Sequence, residues 1–287
     1  MHSLKTVIGL LLALLVISPS FVSAGIDKEE AAKIFILGKE LLKKGDFEGA
    51  LKAYGEAARC DSMTVKYRQQ YMLLRKVMKM RTAIIREENP QKWQRLAKGL
   101  RNFYYSNRLY SDLVTLTRKI HEKKNSVESA TVLADALLLH GENAEAVKVL
   151  TDQKRENLSL HAKVLLGISL GRQKKIEEAH ALLDGLAIPE KPSPRFLCDV
   201  ARLKVLAGDV AGGMVVLTTA LESTAPRALS SFKDFVKNTL EFKNLPASAN
   251  LIKVLKTKSK VSESACSSGS SCGSCPRRGS CPGSKKK

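Results

Sequence analysis

The sequence predicts an all-α chain of stacked helix-turn-helix units, and two observations carry that prediction. Apolar residues recur at helical spacing, in paired blocks, through residues 30–225. The blocks themselves repeat, with similar patterns starting at about Gln94, Val127, Leu160 and Pro194, at intervals of 33, 33 and 34 residues. A period in that range marks arrays in which each unit buries its apolar face against a neighbour. About five such units with capping helices make up the body, and a disordered cysteine-rich tail follows it.

The first copy shows the unit most plainly. Residues 36–62, ILGKELLKKGDFEGALKAYGEAARCDS, give a helix, a turn at Gly45 and Asp46, then a second helix with small Ala50 and Ala57 where two helices must approach closely. With Ala31 as position one, Leu37 and Gly38 stand at seven and eight, Leu41 at eleven, Ala50 at twenty, Tyr54 at twenty-four and Ala57 at twenty-seven. This resembles the tetratricopeptide repeat, a 34-residue helix-turn-helix unit. The copies VLADALLLHGENAEAVKVL and LLGISLGRQKKIEEAHALL place Leu133, Leu137 and Ala146, then Leu166, Leu170 and Ala179, at positions seven, eleven and twenty.

The resemblance implies a tetratricopeptide-repeat α-solenoid over residues 27–256, with units near 31–61, 62–93, 94–126, 127–159, 160–193 and 194–227 and capping helices in 228–256. The second unit is degenerate. Its stretch YRQQYMLLRKVMKMRTAIIREENPQKW fits two helices or one long one, ending near Asn89, because the residue before Pro90 leaves the helical region. Leu113 replaces the position-twenty alanine in the copy from Gln94. Gly213 replaces it in the last copy, where the first-helix pattern also slips by one residue near Leu203.

At the N-terminus, Lys5 precedes the apolar run VIGLLLALLVI, and Ser18-Pro19 leads to the small residues of Val22-Ser23-Ala24. This is the pattern of a cleaved signal peptide over 1–24, with the mature chain starting at Gly25. The run is shorter than the roughly 20 apolar residues that span a bilayer. The expected location is therefore exported, periplasmic or secreted, an uncleaved anchor being the alternative.

Residues 257–287 are rich in Ser, Gly, Lys, Cys and Pro and offer almost nothing to bury, so a flexible tail is expected there. Cys266, Cys272, Cys275 and Cys281 fall in a C-x5-C-x2-C-x5-C pattern. Three readings stand: a thiolate cage for Zn²⁺ or an iron-sulfur cluster, a pair of disulfides in an oxidising compartment, or thiol exchange at the central C-x2-C. Spacing does not choose among them. Cys60 and Cys198, at helical positions in the body, read as small buried hydrophobes.

Catalysis finds little support, and no enzyme is expected. His121, His140, His161 and His180 sit in different repeats without a metal-binding H-E-x-x-H pair, and Gly212-Gly213 lies inside a helix rather than a phosphate loop. No cofactor is required by the body.

What the array offers is a groove. In proteins that this chain resembles, positions two, five, six, nine, twelve and thirteen of each first helix line a concave peptide-binding surface. Carried over, these give Phe35, Lys39 and Lys43 in the first unit, and Arg95, Lys98, Asn102 and Tyr105 in the unit from Gln94. Lys98 and Asn102 resemble half of the family's carboxylate clamp, while Val132, His161 and Leu165 stand where its other half needs asparagine, lysine and arginine.

With 48 basic against 28 acidic residues and a net charge of +20, acidic partners are favoured. The expectation is an exported scaffold that binds an acidic or amphipathic protein segment in a basic groove. The alternatives are a metal-binding or thiol-exchange protein acting through the tail, and a binder of an anionic membrane or envelope surface. Export disfavours nucleic acid as a partner.

Overall fold

The computed structural model describes residues 28–246 and 250–262, which are all-α, with no strand among them. The signal segment and the four tail cysteines lie outside the described residues. The chain divides into two compact units between Leu109 and Tyr110.

Unit 1 holds α1 (Lys28–Lys43), α2 (Phe47–Cys60), α3 (Val65–Arg86) and α4 (Pro90–Ser106). Helix α1 carries Glu29 and Glu30 in its first turn and Lys43 in its last, the arrangement that suits the helix dipole. Asp46 caps α2 by accepting a hydrogen bond from the Gly49 backbone at 2.8 Å. The degenerate second repeat is one unbroken helix of 22 residues, which buries only Leu74 and Val77. Beyond it Asn89 caps α4, accepting from the backbone of Gln91 and Lys92, and Pro90 opens that helix where its missing N–H costs nothing.

Unit 2 holds α5 (Tyr110–Lys124), α6 (Val127–His140), α7 (Asn143–Thr151), α8 (Leu160–Arg172), α9 (Ile176–Asp184), α10 (Pro194–Leu206), α11 (Val210–Glu222), α12 (Pro226–Lys237), α13 (Leu240–Lys243) and α14 (Leu251–Leu255). Ser126, Ser159 and Ser193 cap α6, α8 and α10 at repeat spacing. Successive pairs α6/α7, α8/α9 and α10/α11 lie against one another, with α8 touching both α6 and α10.

One backbone device recurs in both units. Position fifteen of five repeats takes a positive φ, at Gly45 (82°), Arg108 (58°), Gly141 (96°), Lys174 (64°) and Gly208 (90°). At each, the next residue's N–H reaches back to the carbonyl of position eleven: Asp46 to Leu41, Leu109 to Tyr104, Glu142 to Leu137, Lys175 to Leu170 and Asp209 to Lys204, all between 2.9 and 3.0 Å. These are Schellman-type ends, in which a left-handed residue satisfies carbonyls the helix leaves free. Arg108 and Lys174 hold that conformation at a cost of about 1 kcal/mol where glycine holds it freely. Helix α3 lacks the turn, which is why it runs on.

The same turn shows that the last copy keeps its backbone register. Gly208 and the bond from Asp209 to Lys204 stand where their equivalents do, so only the side-chain pattern shifts at Leu203. Gly213 has a reason of its own. A Cβ there would lie 3.0 Å from the Ala201 carbonyl oxygen and 2.8 Å from Val205 Cγ2, so α10 and α11 approach more closely than alanine allows. Gly213→Ala is therefore expected to destabilise the protein by about 1–3 kcal/mol through overpacking, although the same change in an open helix gains about 1 kcal/mol. A rise in the urea midpoint of the variant would show that the helices separate freely.

The end of the array is covered as a repeat stack requires. Val236 and Phe242 enter the core beside Cys198, Ala201, Met214 and Leu217, with Phe232, Phe235, Leu251 and Val254 around them. The cap differs from the two amphipathic segments expected. It starts earlier, at Pro226, and the first segment breaks at Asn238 and Thr239 into α12 and α13. Lys260, placed by the sequence in the tail, binds the end of α11 by its N–H to the Glu222 carbonyl and by its ammonium to the Glu222 carboxylate, both at 2.8 Å.

Candidate functional site

In unit 1 the predicted groove residues part into two sets and one correction. Lys39 and Lys43 are exposed on α1, and Arg95, Lys98 and Asn102 follow one another along the exposed side of α4, with Tyr105 half-buried. Phe35 is the correction. It is only 4% exposed, its ring 5.2 Å from Tyr54 and 4.7 Å from Tyr67, because its side of α1 faces α2 and the start of α3. What the surface presents there is charge, with the Lys39 ammonium 4.9 Å and the Lys66 ammonium 5.5 Å from the Phe35 ring centre.

The charge of unit 1 is concentrated. Residues 62–109 hold twelve lysines and arginines against two glutamates, a surplus of +10 that is half of the chain's net +20. Both glutamates, Glu87 and Glu88, sit in the short link between α3 and α4. Arg81 is spent internally, stacked 3.8 Å over Phe47 and donating to the Tyr104 hydroxyl at 3.2 Å. Lys39, Lys43, Arg95 and Lys98 form no ion pair among the described residues. The surplus was readable from the sequence by counting charge segment by segment rather than over the whole chain.

Unit 2 does the opposite with its charges. Asp135, Arg195, Asp199, Arg202, Glu241 and Arg172 form a continuous chain of ion pairs. Arg195 donates to Asp135 at 2.9 Å and to Asp199 at 3.2 Å, and Arg202 donates to Asp199 at 2.8 Å and to Glu241 at 3.0 Å. Arg172 donates to Glu241 at 2.6 Å and to the Leu138 carbonyl at 2.6 Å. His161 adds a contact to Asp199 at 3.2 Å, and Arg195 stacks 4.1 Å over Phe235 of the cap. By repeat position Asp135, His161, Arg172, Arg195, Asp199 and Arg202 all stand where the resemblance places ligand contacts. Here they bind one another and the cap instead.

The electrostatics follow from that closure. Burial opposes the charge of Asp199, yet Arg195, His161 and Arg202 hold its carboxyl below the usual carboxylate range. Burial likewise opposes Glu241, and Arg202 with Arg172 outweighs it. Burial also works against a charged His161, but Asp199, with Asp135 beyond it, raises its pKa above the ordinary imidazole value. Among the described residues every buried side-chain nitrogen and oxygen has a hydrogen-bond partner. Of the missing clamp half, Leu165 is fully buried and His161 is held by Asp199.

The cysteines of the body separate. Cys198 is fully buried, and its thiol is pushed up to about 12, first by burial and then by Asp199, which makes it inert. Cys60 is exposed at the end of α2, contrary to the buried position expected for it. No group of three or more His, Cys, Asp or Glu suited to hold a metal occurs among the described residues.

With this geometry in hand, a family model described as "Anaphase-promoting complex, cyclosome, subunit 3", a tetratricopeptide-like family, matches residues 106–186. The helix pairs and their recurring turn agree with it. The fold is that of a tetratricopeptide-repeat protein. A solved structure of a thermophilic TPR protein from Thermus thermophilus is similar at 16% identity over 76% of this chain and 98% of that one, with a TM-score of 0.39. No curated protein matches the chain. Tetratricopeptide-type repeats act in general by binding protein partners and are typically non-catalytic.

Proposed function

We propose that the protein is an exported interaction scaffold whose unit 1 takes an acidic or amphipathic segment of a protein partner. The observation that carries this is that Lys39 and Lys43 of α1 and Arg95 and Lys98 of α4 are exposed and form no ion pair among the described residues, set against a unit 2 that pairs its buried charges internally. Lys39, Lys43, Arg95 and Lys98 supply exposed cations, and Asn102 and Tyr105 supply hydrogen-bonding groups that give an extended peptide direction. The export reading rests on the apolar run of residues 7–17 and the small residues before Gly25.

The test is fluorescence anisotropy with a labelled 15-residue peptide of alternating glutamate and alanine. Binding is expected to weaken steeply with salt, since exposed charges are screened over about 8 Å at physiological ionic strength. The double variant Lys39→Glu and Lys98→Glu is expected to bind at least tenfold more weakly, because it replaces attraction by repulsion at two points. An alternating glutamine and alanine peptide that binds as tightly as the acidic one would overturn the proposal.

A further inference from the structure

Helix α3 carries more exposed charge and more exposed apolar surface than its packing explains. It has seven lysines and arginines and no acidic residue from Val65 to Arg86. At 100° per residue, Arg68, Met72, Arg75, Lys76, Lys79 and Arg86 fall on one side of the helix, opposite the buried Leu74 and Val77, and all six are exposed. Among the described residues none of those five cations forms an ion pair. Arg75 and Lys79 are four residues apart and Lys76 and Lys79 three, spacings at which like charges weaken a helix.

Two exposed apolar side chains, Val65 and Met72, share that charged side, whereas Leu73 and Ile85 point away from it and Met63 precedes the helix. Met63, Val65, Met72, Leu73 and Ile85 are large hydrophobic side chains exposed by 43–78% within this one segment. The cleft beside α3, lined by Leu51, Gly55, Tyr71 and Met78, lies on the flank toward α2, away from the six exposed residues of the outer side. An extended peptide gains direction from uncharged hydrogen-bonding side chains such as Asn102 on α4, and the six residues on the outer side of α3 include none. A polyanion without an apolar layer would leave Met72 and Val65 unused.

We propose that the outer side of α3 is a docking surface for an anionic phospholipid bilayer. Five cations along roughly 27 Å of helix, at 1.5 Å per residue, meet the headgroup phosphates, and Met72 and Val65 between them enter the headgroup boundary. The aliphatic stems of the lysines and arginines cover the intervening apolar surface while their charged ends reach outward. This surface is separate from the one proposed for the protein partner, which uses α1 and α4.

The experiment is sedimentation of the mature chain from Gly25 with phosphatidylcholine vesicles, alone or with 30% phosphatidylglycerol. Each cation beside an anionic surface contributes about fivefold in partitioning, so the variant Arg75→Ala, Lys76→Ala, Lys79→Ala should bind the anionic vesicles about a hundredfold more weakly. These side chains are exposed, and an unchanged circular dichroism spectrum would show that the fold is retained. Met72→Ser should weaken binding with no change in its salt dependence, because it removes insertion and not charge. Arg95→Ala with Lys98→Ala should lose the acidic peptide and keep the vesicles, which separates this inference from the peptide proposal. Equal binding to neutral and anionic vesicles would overturn the inference. So would full retention in the α3 variant, or loss on changing Lys285, Lys286 and Lys287 to alanine with the α3 variant unaffected.

Discussion

Replacing Arg202 by methionine is expected to cost about 3–5 kcal/mol of stability, the range found when one member of a buried ion pair is removed. Arg202 is 1% exposed and sits between two carboxylates, Asp199 at 2.8 Å and Glu241 at 3.0 Å. Its loss leaves three acidic groups, Asp135, Asp199 and Glu241, against the two guanidinium groups of Arg172 and Arg195. In the low-dielectric interior that imbalance is felt fully, whereas a surface pair such as Lys33 with Glu29, which contributes about 0–1 kcal/mol, hardly registers.

A double-mutant cycle decides whether the network acts as a unit. Arg202→Met combined with Glu241→Met removes opposite charges together, so the double variant should lose clearly less than the sum of its parts, with coupling of about 1–3 kcal/mol. Added salt should change little, because the pair is shielded from counterions. Strict additivity in urea denaturation would mean that Arg202 and Glu241 contribute independently and that the network does not act as a unit.

That network was not legible in the sequence, and the reason is physical. Arg172 and Glu241 are 69 residues apart and Arg202 and Glu241 are 39 apart, and each sits singly in an amphipathic segment where a charge reads as a solvated face. The all-α class and the repeat were legible because they are written locally: small Ala50, Ala146 and Ala179 lie where helices touch, and all three are fully buried. The turn was half legible. Glycine marks it at positions 45, 141 and 208, but Arg108 and Lys174 take the same left-handed backbone with no signal in residue type. Cys60 was misread because a helical position alone does not say which side of α2 faces the core.

Phe35→Ala is expected to cost a further 3–5 kcal/mol, the range for deleting a buried aromatic side chain, and to do so without any ligand present. Residues placed by repeat position alone give Phe35 a role in binding, yet its ring lies between Tyr54 and Tyr67 and is out of a partner's reach. The side chain also orders the surface, since Lys39 and Lys66 both lie against that ring. Phe35→Leu fills most of the volume and should hold the loss to about 1.5 kcal/mol or less, with acidic-peptide affinity within about twofold of the parent. If Phe35→Leu keeps full stability but loses the peptide more than tenfold, the ring touches the ligand and the assignment of Phe35 to the core of unit 1 fails. If stability falls in the order expected while Lys39→Ala weakens only binding, then α1 divides its work by side, Phe35 holding the unit together and the lysines meeting the partner.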